Sequence, residues 1–144
     1  MDIDKYQVTF VPFPNPVIQG DNSTTLNFSI LENNSNINNI YSALKIAKKD
    51  SGEVISQYPY KFYEFSDITI PYTFHDTGTF VITLQTRIIG DTKFQAAPME
   101  ANFDLTAISP IQAMLSGTTA LVVLVIISII SVGGAISIYI WKRT

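Results

Sequence analysis

Between Thr25 and Leu31 apolar and polar residues alternate, with Leu26, Phe28 and Ile30 on one side and Asn27 and Ser29 on the other, the period-2 signature of a half-buried strand. Tyr6 to Val11 alternates in the same way and is predicted to stop at Pro12-Phe13-Pro14-Asn15-Pro16, because proline cannot donate to a ladder. Gly20-Asp21-Asn22-Ser23 predicts a turn, and the Asn-rich stretch 33–39 a polar loop. Ile40, Ser42, Leu44 and Ile46 alternate with Tyr41, Ala43 and Lys45, and Lys48-Lys49-Asp50-Ser51-Gly52 then predicts a hairpin into Glu53 to Gln57. A helix over 42–49 is the competing reading; the regular alternation disfavours it. Asp67 to Phe74 is predicted as a strand, His75 to Gly78 as a turn, and Thr79 to Ile89 as a strand carrying Phe80, Ile82, Leu84 and Thr86 on one face. Gly90-Asp91 predicts a two-residue hairpin into Lys93 to Leu105. About seven short strands, each apolar on one face, predict a mainly β chain folded as a two-sheet sandwich.

The C-terminal part follows another pattern. No charged residue occurs from Leu105 to Trp141, and Ala120 to Ile140 is built almost wholly of Leu, Val, Ile, Ala, Ser and Gly. Such a run predicts one C-terminal transmembrane helix over residues 115–141, roughly 40 Å long against a hydrocarbon core of about 30 Å. The chain is thus divided into a sandwich over 1–107, a short link over 108–114, the span, and a tail over 142–144. Thr106-Ala107-Ile108-Ser109-Pro110 is too short to act as a flexible stalk, which places the sandwich close on the bilayer.

Charge orients the chain. Of nine Lys and Arg, Lys142 and Arg143 follow the span, leaving seven before it against all twelve Asp and Glu, so the domain is near −5 and the tail near +2. By the positive-inside rule the domain is expected outside the cell membrane and the C-terminus in the cytoplasm, with Tyr139 and Trp141 at the inner interface. Met1-Asp2-Ile3-Asp4-Lys5 does not read as a signal peptide; either one was removed or the C-terminal helix directs insertion, the latter leaving a cytoplasmic domain as the alternative. An acidic domain with no basic cluster larger than Lys45, Lys48 and Lys49 is a poor nucleic-acid ligand. The absence of cysteine excludes disulfides, thiolate chemistry and cysteine-zinc sites.

Candidate chemistry is sparse. His75 is the lone histidine and stands beside Asp76, whereas a self-contained zinc or copper site needs two or three nitrogen or sulfur ligands. His75 is read as a solvated turn residue, the alternative being a ligand in a site shared with a partner. Glu64, Asp67 and Asp76 are near in sequence but read as solvated charges, and Asp21 and Asp50 lack the acidic neighbours of a calcium loop. No phosphate loop or nucleophile motif is present, so no catalytic, cofactor-binding or metal-binding residue is assigned. Asn22, Asn27 and Asn33 begin Asn-X-Ser/Thr sequons, glycan acceptors if the domain is exported. Tyr58, Pro59, Tyr60, Lys61, Phe62, Tyr63 and Phe65 follow one another too densely for a simple alternating strand. Some of those rings must face outward, and Tyr58, Tyr60, Phe62 and Tyr63 are the expected contact surface. Small residues four apart, Ser116 and Ala120, Ser131 and Ala135, Gly133 and Ser137, suit close packing of the span on a neighbouring helix.

Tyr72-Thr73-Phe74-His75-Asp76-Thr77-Gly78-Thr79-Phe80-Val81-Ile82-Thr83-Leu84 resembles the penultimate-strand signature of immunoglobulin-like and polycystic-kidney-disease-type sandwich domains, in which the glycine makes a corner and the next aromatic anchors it. The match departs where Phe80 replaces the family's tyrosine, where Ile82 replaces an immunoglobulin cysteine, and in the lack of any Trp in the domain or of an Asp-Phe-Gly-Asp-Gly motif. The resemblance therefore implies the architecture, an immunoglobulin-like sandwich. The layout of an Asn-rich β domain, one helix and a two-cation tail is also similar to small anchored surface proteins of archaea. That resemblance implies an accessory subunit of a membrane enzyme, the archaeal ammonia monooxygenase complex being one case.

Three functions are expected from these features, in this order. The first is a non-catalytic accessory subunit whose helix packs on integral membrane subunits and whose sandwich braces their outer part. The second is a freestanding surface module recognising a protein or glycan; the third, a metal-delivery domain using His75.

Overall fold

A computed structural model describes residues 1–116. The alternating stretch around Leu26 forms β4 (Thr25–Glu32) and buries Leu26, Phe28 and Ile30 as the pattern requires. Ahead of it lie β1 (Asp2–Ile3), β2 (Tyr6–Phe13) and β3 (Val17–Ile18). After it come β5 (Ser35–Asn36), β6 (Asn38–Lys48), β7 (Val54–Phe65), β8 (Ile68–Pro71), β9 (Gly78–Ile88), the short helix α1 (Thr92–Ala96), and β10 (Met99–Ile108). The stretch 42–49 is strand, not helix.

The strands form two sheets. One runs β1-β2-β4-β5, with β8 also on β4; the other runs β3-β10-β9-β6-β7. All pairs are antiparallel except β3 with β10. Val8, Leu26, Phe28, Ile30, Ile68 and Phe74 share one apolar core with Ile40, Leu44, Ile46, Phe80, Ile82 and Leu84. The mainly β, two-sheet expectation holds.

Four local expectations are corrected. β2 runs through Pro12 to Phe13, opposite Leu26 and Thr25. β1 covers only Tyr6 and Gln7, so at Pro12 the other edge of β2 is open and needs no donor. The strand expected over 67–74 is confined to Ile68–Pro71. Gly90-Asp91 does not make a two-residue hairpin: Asp91 caps α1, its side chain accepting from the backbone N–H of Lys93 at 3.0 Å and of Phe94 at 3.1 Å. The ten strands exceed the expected number because β1, β3 and β5 are two residues long and are fixed only by pairing. β4 and β5 are joined by Asn33 and Asn34 at φ of 52° and 60°, both left-handed, as a tight two-residue hairpin requires.

Residues 109–116 belong to a second compact unit. Its described part is α2 (Pro110–Ser116). Ser109 Oγ accepts from Gln112 N at 3.2 Å and Gln112 Oε1 accepts from Ser109 N at 3.1 Å, a reciprocal capping box with Pro110 in the first helical turn. Ile108 is still strand and Pro110 already helix, so Ser109 alone separates them. Among the described residues no helix is long and apolar enough to cross a membrane; the predicted span from residue 117 onward, and with it Ala120, Ser131, Gly133, Ala135 and Ser137, lies outside them.

Candidate interaction surface

β7 is the last strand of its sheet, bonded to β6 on one side only. Its aromatic run is a strand after all, and the pairing register explains why period 2 fails there. Ser42 faces Lys61 and Leu44 faces Tyr58, so Pro59 and Tyr60 together oppose Ala43 in a β-bulge. The extra residue separates the four predicted contact aromatics. Tyr60 and Phe62 lie on the outer face; Tyr58 and Tyr63, paired with the core residues Leu44 and Ile40, pack inward against the core.

On the outer face Phe62 is opposite Tyr41, with ring centroids 5.4 Å apart. Tyr41, Tyr60 and Phe62 are 42%, 41% and 46% exposed, and Phe65, at the end of β7, is 57% exposed. Across β6, Arg87 of β9 stands over the Tyr60 ring at 5.6 Å and donates to the carbonyls of Gln95 and Ala96, which fixes the guanidinium beside the aromatic row. The Tyr60 hydroxyl donates to Gln85 Oε1 at 3.4 Å, and Gln85 Nε2 donates to Glu100 at 2.6 Å.

On the inner side a cleft of about 270 Å³ opens between β7 and β8, lined among others by Leu44, Tyr58, Lys61, Tyr63, Ile70 and Pro71. Burial pushes the Tyr63 phenol up from its ordinary pKa. Lys61 Nζ lies 5.5 Å from the centre of the Tyr63 ring. Ser66 closes the connection from β7 to β8; its buried hydroxyl donates to Ile30 O at 2.6 Å and accepts from Ile37 N at 3.1 Å.

The charges divide in a way the sequence did not show. Lys5, Lys48, Lys49 and Lys93 each pair with a carboxylate. Among the described residues the three Lys and Arg side chains without one are Lys45, Lys61 and Arg87, on the adjacent strands β6, β7 and β9. Lys45, Tyr41 and Arg87 therefore join the surface, although linear spacing gave no sign of them; only the register of β6 with β7 and β9 brings them together.

The remaining candidates are dispersed. His75 is exposed and its carbonyl accepts from Gln19 Nε2 at 2.7 Å; Asp76 pairs with Lys48 at 3.2 Å. Glu64 lies in β7, not in a loop, and the carboxylate of Asp67 accepts from Ser29 and Asn36. Asp21 accepts from Ser23 and Asp50 from Ser51 N, each within its own turn. Among the described residues no three His, Cys, Asp or Glu gather where they could hold a metal ion. Asn22 and Asn33 are exposed in turns, whereas the Asn27 amide sits within β4 and donates to Val11 O and Thr25 Oγ1, both at 3.1 Å. Ser116 ends the described part of α2, its hydroxyl donating to Ala113 O. No protein-family model matches the chain, and no curated protein matches it with significant similarity.

Proposed function

We propose that this chain is a non-catalytic, membrane-anchored accessory subunit whose immunoglobulin-like sandwich binds an outer part of a larger membrane assembly through the β7 face. The strand order supports the immunoglobulin-like reading: β2, β4 and β8 stand as strands A, B and E, and β6, β9 and β10 as C, F and G, with β7 added beside C. The uncharged run 115–141 and the cations Lys142 and Arg143 support a single-pass anchor with the sandwich outside. Exposed Ile111, Met114 and Leu115 on α2 suit a helix continuing into lipid.

The observation that carries the binding role is the coincidence of exposed aromatics and unpaired cations on β7, the free edge strand, and on the two strands next to it, β6 and β9. Aromatic residues and Arg are the residue types that dominate protein interfaces. A brace for integral membrane subunits uses that face together with the helix. A freestanding receptor, the second reading, uses the face alone, and its support is the same aromatic patch.

The test is the native mass of the full chain extracted from its own membrane in mild detergent, for the wild type and for Tyr60→Ser with Phe62→Ser. The subunit reading expects a fixed proportion of the chain in a larger assembly, and association weakened roughly 30-fold by the double substitution. A chain that migrates alone overturns it and leaves the receptor reading. Partners found in this way would also show whether the assembly is of the ammonia monooxygenase type.

A further inference from the structure

We infer that the partner engages β7 as an added strand: an extended, acidic segment of another polypeptide pairs along Tyr60–Phe65, with carboxylates toward Lys61 and Arg87 and an apolar side chain in the cleft between β7 and β8. The inference rests on the binding role given to the β7 face and names the chemistry of its occupant.

Three independent features converge on this segment. β7 has a free edge, where backbone N–H and C=O groups lack strand partners. The sheet edge across from it is short: β8 has four residues against twelve in β7, so the side of the sandwich opens into the cleft of about 270 Å³. An inserted strand would lay alternate side chains into that cleft and onto the outer aromatic row, the pattern by which extended segments complete open sheets. Finally, Lys61 and Arg87, on and beside this stretch, lack carboxylates, while Lys5, Lys48, Lys49 and Lys93 have them.

Pro59 cannot donate and the bulge re-aims the strand, so pairing is confined to residues beyond it. Glu64 is the acid on this stretch and biases the partner's carboxylates toward the Lys61 side. Glu100 is engaged by Gln85. A second copy is a poorer occupant. Two-fold pairing of β7 with itself would bring the same unpaired cations to the seam from both sides, with only Glu64 of each copy to offset them.

A photoreactive benzoylphenylalanine placed in turn at Tyr60, Phe62 and Glu64 of the full chain, irradiated in its own membrane, tests this. Strand addition expects all three to capture one segment containing Asp or Glu, at residues that advance by two per step in one direction. Lys61→Glu should lower the yield at least about tenfold, while Lys48→Glu leaves it unchanged. Capture at one fixed residue, at helical spacing or at scattered sites overturns strand addition and leaves the interaction face standing. Capture of lipid alone, of a second copy, or of nothing overturns both. Amide exchange within residues 60–65 gives a readout free of substitution. It should slow at least tenfold in the assembly relative to the purified chain, and equal rates refute the added strand.

Discussion

Ser42 and Thr86 face each other across β6 and β9 with their hydroxyl oxygens 2.9 Å apart. Both are buried: Thr86 is 0% exposed, and Ser42, which lines the cleft, is 4% exposed. A net hydrogen bond contributes about 0.5–1.5 kcal/mol, whereas a buried hydroxyl stripped of its partner costs about 1–3 kcal/mol. Ser42→Ala strands the fully enclosed Thr86 hydroxyl and is expected to destabilise by about 1–2 kcal/mol. Thr86→Val is nearly isosteric and leaves Ser42, which water can reach through the cleft, so about 0.5–1 kcal/mol is expected. The double variant removes both polar groups and should lie within about 0.5 kcal/mol of wild type, which against single costs summing to about 1.5–3 kcal/mol is a coupling of about 1–3.5 kcal/mol. Urea unfolding of the full chain in detergent, followed by the tyrosine near-ultraviolet signal, measures all three. Additivity within about 0.5 kcal/mol, or a double variant worse than either single one, would refute the reasoning.

Three further outcomes are expected. Gly78 enters β9 at φ +128°, and a Cβ there would meet no atom within 4 Å. Gly78→Ala should therefore lower stability by about 1–3 kcal/mol through backbone strain alone, read as a lower melting temperature with the β7 face still binding. The Asp91 carboxyl is held below its ordinary pKa by the N–H of Phe94, with the Tyr6 hydroxyl adding to it. A carboxyl depressed in the folded state stabilises above its unfolded pKa and loses that contribution as pH falls through the folded value, so the urea midpoint should drop below about pH 4 and Asp91→Asn should flatten that slope. Removing the capping box with Ser109→Ala and Gln112→Ala should cost α2 about 1 kcal/mol, seen as faster amide exchange at Ile111 and Gln112 while the sandwich amides are unchanged.

Period-2 alternation made the core strands legible: Phe80, Ile82, Leu84 and Thr86 were grouped on one face and all are buried. Where one residue is inserted, that logic fails. The bulge at Pro59 and Tyr60 shifts the phase of β7, so a strand reads as a disordered run of rings. Two signals were present but outranked. Asp91 followed by Phe94 is a helix start, yet Gly90-Asp91 also spells a hairpin; Ser109-Pro110-Ile111-Gln112 is a capping box within an expected linker. The aromatic half of the candidate surface was visible as composition. Its cationic half depends on which strands neighbour which, and on Lys5, Lys48, Lys49 and Lys93 finding acids elsewhere.

Because β10 and β7 belong to one sheet, the path from the proposed anchor to the proposed partner would be mechanical as well as covalent. Tension entering at Ile108 passes from β10 to β9, β6 and β7 through three antiparallel seams, of which the first two hold nine facing residue pairs each. A pull directed along the strands loads these rows in shear, so many backbone hydrogen bonds share it, and the apolar contact between the two sheets is bypassed. Held between the proposed anchor and the proposed partner, this sheet would act as a tie; the sheet built on β4 backs it and would be left outside the line of force.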